Sequence, residues 1–490
     1  MHGGGRSKWK SRKTSRSSLL IFSLLTLLFL LLFFFVFYEE ISTFIHPVSK
    51  TSSPLSTQSS QCLKTLGERF LFYAPHSGFS NQLSELKNAI LMATILNRTL
   101  IVPPVLDHHA VALGSCPKFR VLSPNDLRLK VWDHAVELIK EGRYISMAEI
   151  IDLSSISKLV RTMDLRDFVS LWCNVALDSV CLDSSNVKSS RLDNLRQCGS
   201  LLSGLTGNVY KCVYAVDEDC RTTVWTYKSK DVDSALDAFQ PDEQLRLKKK
   251  ISYVRRRRDV YKNLGPGSAA HLSTVLAFGS LFTSPYRGSQ LYIDIPESPR
   301  DNRIQSLLDK IEFMPFVPEI TNAAKEFVQK VIKSPYLCAQ LRLLDGQFKN
   351  HWKTTFSVLK LKLLGLKQKG TLPVHIFVMT DLPRSNWSGS YLEELASDES
   401  SFKLHVLNND DEFVRRTAEK IAPASCGKGG IPDNCLRPCP HRRPDVLLYL
   451  EEAVCSCASL GFVGTAGSTI AESIELMRKN SACLEQKQIT

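Results

Sequence analysis

The hydrophobic and polar positions divide the chain into a long apolar run, a polar spacer and a body in which apolar and amphipathic stretches alternate. The apolar run covers residues 19–38 and is interrupted only by Ser23 and Thr26. About 20 apolar residues are enough for a helix to cross a bilayer. Cations cluster before this run, at Arg6, Lys8, Lys10, Arg12, Lys13 and Arg16. This asymmetry predicts a cytoplasmic N-terminus and a body on the far side of the membrane.

A cleaved secretory signal is the alternative interpretation of the same run. Such signals have about 7 to 15 apolar residues followed by small residues at the cleavage site, whereas this run is longer and ends in Phe, Val, Phe and Tyr. We therefore expect an uncleaved signal anchor at 19–38 behind a cytoplasmic tail at 1–18. Residues 39–61 are expected to form a stem, because the stretch 49–60 is rich in Ser and Thr and cannot build a core.

The first half of the body begins with a strand-loop-helix-strand pattern. An apolar stretch from Phe70 to Ala74 is followed by a polar loop, a helical pattern near Gln82 to Leu96 and the strand-like segment TLIVPP. Residues 121–151 predict a loop and short helices. The order of strands and helices is typical of a parallel α/β unit. We expect one Rossmann-like domain over 62–315, with insertions that contact an acceptor.

The second half of the body shows the same alternation over a longer stretch. Apolar strands such as YLCAQLRLL and VHIFVMT alternate with helical patterns from Ile320 to a helix that starts near Thr469. Such alternation is typical of a doubly wound parallel sheet. The expected fold class is therefore α/β, with a second Rossmann-like domain over 316–480 and a tail at 481–490.

Charge and cysteine usage agree with a lumenal body. The net charge is +13, but six of the cations precede the apolar run, and a basic stretch at 246–258 would lie on the lumenal side, so no nucleic-acid partner is expected. All 14 cysteines follow the apolar run, which favours disulfides in an oxidising compartment. Cys435 and Cys439 lack a second ligand pair at zinc-finger spacing, so no metal site is expected.

Two sequons are candidate glycosylation sites in such a compartment. They begin at Asn97, in Asn97-Arg98-Thr99, and at Asn386, in Asn386-Trp387-Ser388. Because Asn97 lies within a strong helix-to-strand pattern, we do not expect it to carry a glycan.

The loop Pro75–Gln82, between the first predicted strand and helix, is the first candidate site. Backbone amides and the helix dipole favour an anion at such a helix N-terminus. Gly78 would allow close approach, and Asn81 and Gln82 could donate side-chain amides to a phosphate or sugar oxygen. His76, with an ordinary pKa near 6.5, could accept a proton. The alternative is an ordinary turn with an Asn cap.

Arg342 follows an apolar strand at the edge where α/β sheets bind ligands. A guanidinium there could hold a diphosphate and stabilise its growing charge. A structural salt bridge with Asp345 would explain the same residue equally well. Asp381, at the end of the strand VHIFVMT, could accept a hydrogen bond from a base or a ribose, or cap the segment that follows.

The segment Val463–Glu472 reads as a strand, a glycine turn and a helix start. Two glycines with the hydroxyls of Ser468 and Thr469 would form a phosphate-binding nest, although the same residues also make a good helix cap.

Taken together, these motifs resemble the GDP-fucose protein O-fucosyltransferase superfamily, and most of all its plant branch. The resemblance runs from about Phe70 to Met477. It rests on the order and spacing of four segments, which are HSGFSNQ, QLRLLDG, FVMTD and CSCASLGFVGTAGSTIAE. It implies two facing Rossmann-like domains of the GT-B type, GDP-fucose in the cleft, inversion at the anomeric carbon and no metal requirement.

The resemblance also implies roles for individual residues. Arg342 would neutralise the β-phosphate of the departing GDP, and Asn81 would steady the donor or the acceptor. Asp381 would contact the guanosine, while Ser468 and Thr469 would bind the diphosphate. The expected protein is a type II Golgi enzyme that acts on a hydroxyl of a protein Ser or Thr or of a glycan.

Two alternatives remain open from the sequence. Gln340, which we expect among the donor-binding residues, stands where the superfamily usually has His. It can hydrogen-bond but carries no charge, so a membrane-tethered pseudoenzyme that kept the fold is one of them. The other is a metal-dependent glycosyltransferase, because Asp217 and Asp219 form an Asp-x-Asp after an apolar run, and oxygen ligands suit hard cations. Cys212 and Cys220 flank this motif, which favours a disulfide-closed acidic loop.

Overall fold

The computed structural model describes only part of the chain, and all structural statements below concern that part. The described residues are 67–107, 123–141, 143–175, 185–203, 212–216, 223–225, 253–255, 264–281, 302–344, 348, 351–370, 372–421, 444–481 and 483. The predicted tail, anchor and stem lie outside these ranges. Among the described helices, none is both long and apolar enough to cross a membrane.

The first part of the chain forms a five-stranded parallel sheet with helices around it. Its elements are β1 (Phe70–Phe72), α1 (Phe79–Ile95), β2 (Thr99–Val102), α2 (Pro124–Glu141), α3 (Met147–Ile150), β3 (Thr162–Asp164), α4 (Leu165–Cys173), α5 (Ser185–Ser203), β4 (Val213–Ala215), β5 (Thr223–Trp225), β6 (Tyr253–Arg255), α6 (Ala269–Leu272) and β7 (Val275–Ala277). The strand order is β3-β2-β1-β7-β4, and all neighbours are parallel. Strands β5 and β6 pair separately.

The second part of the chain forms a four-stranded parallel sheet. Its elements are α7 (Asn302–Glu312), α8 (Pro318–Phe327) with a π-helical extension (Val328–Ile332), β8 (Tyr336–Leu341), α9 (Trp352–Lys367), β9 (Val374–Thr380), α10 (Tyr391–Ser397), β10 (Phe402–His405), α11 (Glu412–Ile421), α12 (Leu447–Ser456), β11 (Gly461–Gly464) and α13 (Thr469–Lys479). The strand order is β10-β9-β8-β11, with all neighbours parallel. The predicted α/β class with parallel sheets is confirmed.

One apolar core is shared by the two sheets. Helix α1 packs against α7 and α13, and α8 packs against α12. The ring of Phe79, at the start of α1, lies 4.5 Å from the ring of Tyr449 and 6.3 Å from that of Phe316, measured between centroids. The other faces are covered by α2, α4 and α5 on the first sheet and by α9 and α10 on the second. Both faces of each sheet are thus buried, as parallel sheets require.

The structure corrects one prediction in the middle of the chain and assigns one segment that the sequence left unassigned. Residues 121–151 contain mainly one helix of 18 residues, α2, rather than a loop and short helices. Its apolar stripe, which includes Leu127 and Val131, is buried, but charged residues between the stripe positions dilute the pattern. The apolar run before Asp217 is the edge strand β4, paired with β7. Because β4 and β7 are far apart in the sequence, no local alternation of strands and helices predicts their pairing.

Three disulfides have both cysteines among the described residues, and they bear out the expectation of an oxidised protein. They are Cys173–Cys198, Cys338–Cys455 and Cys457–Cys483. The second bridge joins β8 to α12, and its Cys338 lies two residues before Gln340. Asp217, Asp219 and the cysteine loop around Cys435 lie outside the described residues.

Candidate active site

The carboxyl ends of the strands in each sheet define the edge where α/β proteins bind ligands. At the first sheet, this edge is formed by the loops that follow β1, β2 and β7. At the second sheet, it is formed by the segments that follow β8, β9 and β11. The predicted site residues lie on these loops or on the first turn of the helix that follows, apart from Gln340, which lies within β8, and the two sequon asparagines.

Thr465 joins the ends of β8 and β11. Its hydroxyl accepts a hydrogen bond from the backbone N–H of Arg342 at 2.9 Å and donates one to the carbonyl of Gln340 at 3.2 Å. Its own N–H donates to the same carbonyl at 3.0 Å. Thr465 and Gln340 are buried, and the Gln340 side-chain oxygen lies 3.3 Å from the Thr465 nitrogen. Gln340 therefore supports the strand ends, and Thr465 fixes the backbone that carries Arg342.

Arg342 is partly buried, and its guanidinium carbon lies 4.9 Å from the centre of the Phe348 ring. Burial lowers the pKa of Arg342, while the nearby Asp381 carboxylate raises it. An arginine keeps its proton in such surroundings, so the site carries a fixed positive charge. Asp345, the alternative salt-bridge candidate, lies outside the described residues.

Asp381 holds the loop that carries Arg342. Its carboxylate accepts hydrogen bonds from the backbone N–H groups of Leu343 at 2.7 Å and Leu344 at 3.1 Å. The carboxylate is exposed, but these two bonds already fix its orientation. The geometry favours a role in shaping the Arg342 loop over the predicted contact with a guanosine.

The turn between β11 and α13 is built for close packing. Gly467 has a φ of +73°, which favours glycine, and a side chain at Gly464 would place its Cβ 2.6 Å from that of Ala471. Ser468 is the N-cap of α13 and is fully buried, yet its hydroxyl has no hydrogen-bond partner among the described residues. Thr469 beside it is exposed. An unpartnered hydroxyl at a helix N-terminus is where an anionic ligand would be accommodated.

At the first sheet, the predicted loop leads into α1 as expected. Gly78 is the N-cap of α1 with extended backbone, and the N–H of Asn81 donates to the Gly78 carbonyl at 2.9 Å. The Asn81 side chain is partly exposed and makes no hydrogen bond to another described residue. Asn81, on the first turn of α1, therefore keeps its side-chain amide available for a ligand.

Gln82 has a different environment, because it is fully buried. Its amide nitrogen donates to the carbonyls of Ser77 at 2.8 Å and Leu106 at 2.9 Å, and its oxygen accepts from the N–H of Leu106 at 2.9 Å. These bonds engage the whole amide group. The geometry favours a positioning role for Gln82 over the predicted contact with a donor.

His76 is also fully buried. Its ring nitrogens lie 2.9 Å from the Ser77 hydroxyl and 2.8 Å from the Ser280 hydroxyl. Burial lowers the pKa of His76 to about 4, so the ring is neutral at neutral pH. With both nitrogens engaged and the ring closed from solvent, the placement favours structural support over the predicted uptake of a substrate proton.

Sequence reasoning missed three residues that shape these edges, which are Thr465, Glu85 and Asn88. Glu85 and Asn88 follow Gln82 at intervals of three residues, on the face of α1 that is buried. Polar residues at helical spacing on an otherwise apolar face are the signal that would have revealed them.

The other predicted sites are also placed by the structure. Asn97 is exposed in the turn between α1 and β2 with a φ of +49°, so its side chain is accessible despite the helix-to-strand pattern. Asn386 is exposed in a short 3₁₀ turn (Arg384–Asn386). Within the described ranges, no group of three or more His, Cys, Asp or Glu side chains could hold a metal ion.

The fold and this geometry define an α/β protein whose second sheet presents a guanidinium and a helix N-terminus at its ligand-binding edge. The sequence profile of the family described as GDP-fucose protein O-fucosyltransferase matches residues 70–356. The chain is 54% identical to O-fucosyltransferase 30 of Arabidopsis thaliana over 498 residues, which cover 97% of each chain. The chain thus belongs to the GDP-fucose protein O-fucosyltransferase family and is a glycosyltransferase, as the motifs predicted.

Among solved structures, the chain is similar to POFUT1 in complex with GDP-fucose. The identity is 13% and the TM-score 0.37, over 84% of this chain and 94% of that chain. It is also similar to a mutant of Arabidopsis thaliana FUT1 in complex with GDP, with 11% identity and a TM-score of 0.30, over 90% of this chain and 75% of that chain.

Proposed function

We propose that this glycosyltransferase moves fucose from GDP-fucose to a hydroxyl of a protein Ser or Thr or of a glycan, with inversion at the anomeric carbon and without a metal ion. The observation that carries the proposal is the placement of Arg342. Thr465 and Asp381 hold its backbone at the carboxyl end of β8, next to the strand that leads into the N-terminus of α13.

The chemical argument concerns the charge of the leaving group. When the bond between fucose and the β-phosphate breaks, negative charge grows on the diphosphate. A guanidinium can donate two parallel hydrogen bonds to phosphate oxygens and keeps its charge throughout. Such preorganised charge stabilises the transition state more than the ground state, because the charge it meets develops during the reaction. Arg342 would thereby take the part that a bound cation takes in other glycosyltransferases.

The remaining predicted residues fit around this centre. Ser468 offers a buried hydroxyl and Thr469 an exposed one at the N-terminus of α13, where the helix dipole favours the diphosphate. Gly78 and Asn81 lie at the edge of the first sheet and would contact the sugar or the acceptor. The two parallel sheets support two Rossmann-like domains over 62–315 and 316–480 in a GT-B arrangement, with the donor in the cleft.

We also propose that the protein is a single-pass type II protein of the Golgi with its catalytic part in the lumen. The apolar run at 19–38 and the cations before it support the anchor. The disulfides support an oxidising compartment. The exposed sequon asparagines, Asn97 and Asn386, are sites where a lumenal protein would carry glycans.

The decisive experiment follows GDP release and transfer of labelled fucose by the full-length chain. GDP-fucose is supplied with a panel of peptide and glycan acceptors, and GDP-mannose serves as the donor control. We expect acceptor-dependent release of GDP that EDTA does not reduce. Loss of activity with EDTA would favour the metal-dependent alternative at Asp217 and Asp219, and equal use of GDP-mannose would contradict the fucose assignment.

The pseudoenzyme alternative, which the sequence left open because of Gln340, is not favoured by the membership of this chain in a glycosyltransferase family. The buried side chain of Gln340 can hydrogen-bond but supplies no charge next to Arg342. A protein of this kind would bind GDP in calorimetry but release none from GDP-fucose with any acceptor. Transfer by the wild-type chain contradicts this alternative.

A further inference from the structure

Helix α1 carries a row of three buried polar side chains, Gln82, Glu85 and Asn88, at intervals of three residues. They are 0%, 0% and 1% exposed. Residues three apart lie on one side of a helix, so this row faces the loops at the ligand-binding edge of the first sheet. A buried polar group is costly unless it is hydrogen-bonded. Its partners therefore show what the row does.

The row holds three loops by their backbones. Gln82 bonds both the N–H and the carbonyl of Leu106, in the loop after β2, and the carbonyl of Ser77, in the loop after β1. Asn88 donates to the carbonyl of Leu281, in the loop after β7, at 2.8 Å. Strands β2, β1 and β7 are neighbours in the sheet. One helix face thus fixes the central part of the ligand-binding edge.

Glu85 lies at the middle of this row and joins two of the loops. Its carboxyl accepts hydrogen bonds from the N–H of His76 at 3.1 Å, the N–H of Leu281 at 3.1 Å and the hydroxyl of Ser280 at 3.3 Å. The two N–H groups bond to different carboxyl oxygens. A carboxyl can accept on both sides at once, whereas an amide has one oxygen and one NH₂ group. In Glu85→Gln, the side-chain NH₂ group, which is a donor, would face one of the two N–H groups, which are also donors.

The protonation of Glu85 does not change this conclusion. Burial raises the pKa of Glu85 well above its usual value, and the bonds from His76, Leu281 and Ser280 act in the opposite direction. Tyr73 and His76 are the titratable groups that face it. In either protonation state, both oxygens retain lone pairs for the two N–H groups.

We propose that Glu85 is a positioning residue for the transfer reaction: it holds the loop from β1 to Gly78, which leads into the helix turn that carries Asn81, in a fixed place relative to the loop after β7. The proposal rests on the proposed function and adds two elements to it. The loop Gly279–Leu281 becomes part of the functional site, and the geometry of the first-sheet edge depends on one carboxyl that touches no substrate.

The test compares the full-length Glu85→Gln variant with a matched control, Thr94→Val. Thr94 is buried on the same helix, but its hydroxyl donates only to the Ile90 carbonyl within α1, at 2.8 Å. Misplacement of a reacting group by about 1 Å can cost roughly 100-fold in rate. We expect kcat per folded molecule to fall about 10- to 100-fold in Glu85→Gln, while KM for GDP-fucose changes less than about three-fold. Thr94→Val should keep the wild-type kcat.

Hydrogen exchange provides a readout that does not depend on activity. The amides of His76 and Leu281 should lose protection in Glu85→Gln and keep it in Thr94→Val. Retained protection would overturn the proposal, and so would lost protection with unchanged kcat, because Glu85 would then be merely structural. If Glu85→Gln does not fold, Glu85→Asp replaces it, since the shorter side chain keeps the carboxyl but cannot reach both the His76 and the Leu281 N–H groups. An inactive wild-type chain with the expected exchange pattern would refute the proposed function but leave the loop arrangement standing.

Discussion

The ligand-binding edges of the two sheets use their polar side chains differently. At the first sheet, Gln82 and Glu85 are buried and engaged by the backbone of neighbouring loops. At the second sheet, Ser468 is just as buried, but its hydroxyl has no partner among the described residues, and Arg342 is presented by a backbone that Thr465 holds. The polar side chains of the first edge hold neighbouring loops in place, whereas those of the second edge would contact the charged part of a ligand.

This difference has a physical meaning. A buried hydrogen-bonding group without a partner costs about 1 to 3 kcal/mol, and a ligand that supplied the partner of Ser468 would offset this cost. A buried group that is fully bonded within the protein has no such capacity left. The contrast supports the proposal that the second sheet binds the diphosphate and the first aligns the other substrate groups. Variants of residues at the two edges and in the core between them test this assignment.

The largest effect is expected from the charge of Arg342. Arg342→Ala should lower kcat by 10²-fold or more, because removal of one such electrostatic contact typically costs about 3 kcal/mol of transition-state stabilisation. The kcat of Arg342→Lys should lie between those of Arg342→Ala and the wild type, because lysine keeps the charge but cannot donate two parallel hydrogen bonds. Initial rates of GDP release test this, and a fully active Arg342→Ala variant would refute the role.

A smaller effect is expected from the residue that holds the Arg342 backbone. Thr465→Val removes the acceptor of the Arg342 N–H and should lower kcat roughly 10-fold, with a loss of about 1 to 3 kcal/mol in unfolding free energy. Thr417→Val is the matched control, because that buried hydroxyl bonds only within α11, to Phe413. If both variants retain full activity and lose equal stability, Thr465 is structural only.

Glu452, a buried carboxyl in α12, should make the free energy of unfolding depend on pH. Burial raises the pKa of Glu452 to about 8 from a usual 4.5, although a bond from Ser473 acts against this. Between pH 4.5 and about 8, the folded state therefore holds a proton that the unfolded state has released. Stability falls as the pH rises through this range, by at most about 1.4 kcal/mol per pH unit. Denaturant unfolding of Glu452→Gln should show a flatter profile. The exposed Glu475→Gln should match the wild type, and a wild-type profile in Glu452→Gln would contradict the account.

The smallest effect is expected at Ser468. Ser468→Ala removes a hydroxyl that has no partner in the described protein, so stability without ligand should not fall. The affinity for GDP should fall by about three- to ten-fold, the equivalent of one modest hydrogen bond. Calorimetric titration with GDP and thermal unfolding without it measure the two quantities. A destabilised variant with unchanged GDP affinity would show that the hydroxyl serves the fold.

Much of the fold could be predicted because its periodicity is local and strong. The strand-helix-strand unit β1-α1-β2 and the alternation from α8 to α13 follow directly from apolar stretches and helical spacing. Helix α2 was missed because charged residues separate its buried positions, and the β4–β7 pair was missed because its strands are far apart in sequence. The same reason limited the site prediction. Arg342 and Ser468 follow predicted strands and could be proposed from the sequence, whereas Asn88 bonds Leu281, 193 positions away.

Titration of the full-length protein with GDP and with guanosine, which lacks the diphosphate, shows whether Arg342 binds the diphosphate. In Arg342→Ala, the account predicts that GDP binds at least about 10-fold more weakly, the equivalent of one charge-assisted hydrogen bond, while guanosine binds as it does to the wild type. An unchanged GDP affinity, or an equal loss for both ligands, would contradict the claim that this guanidinium binds the diphosphate.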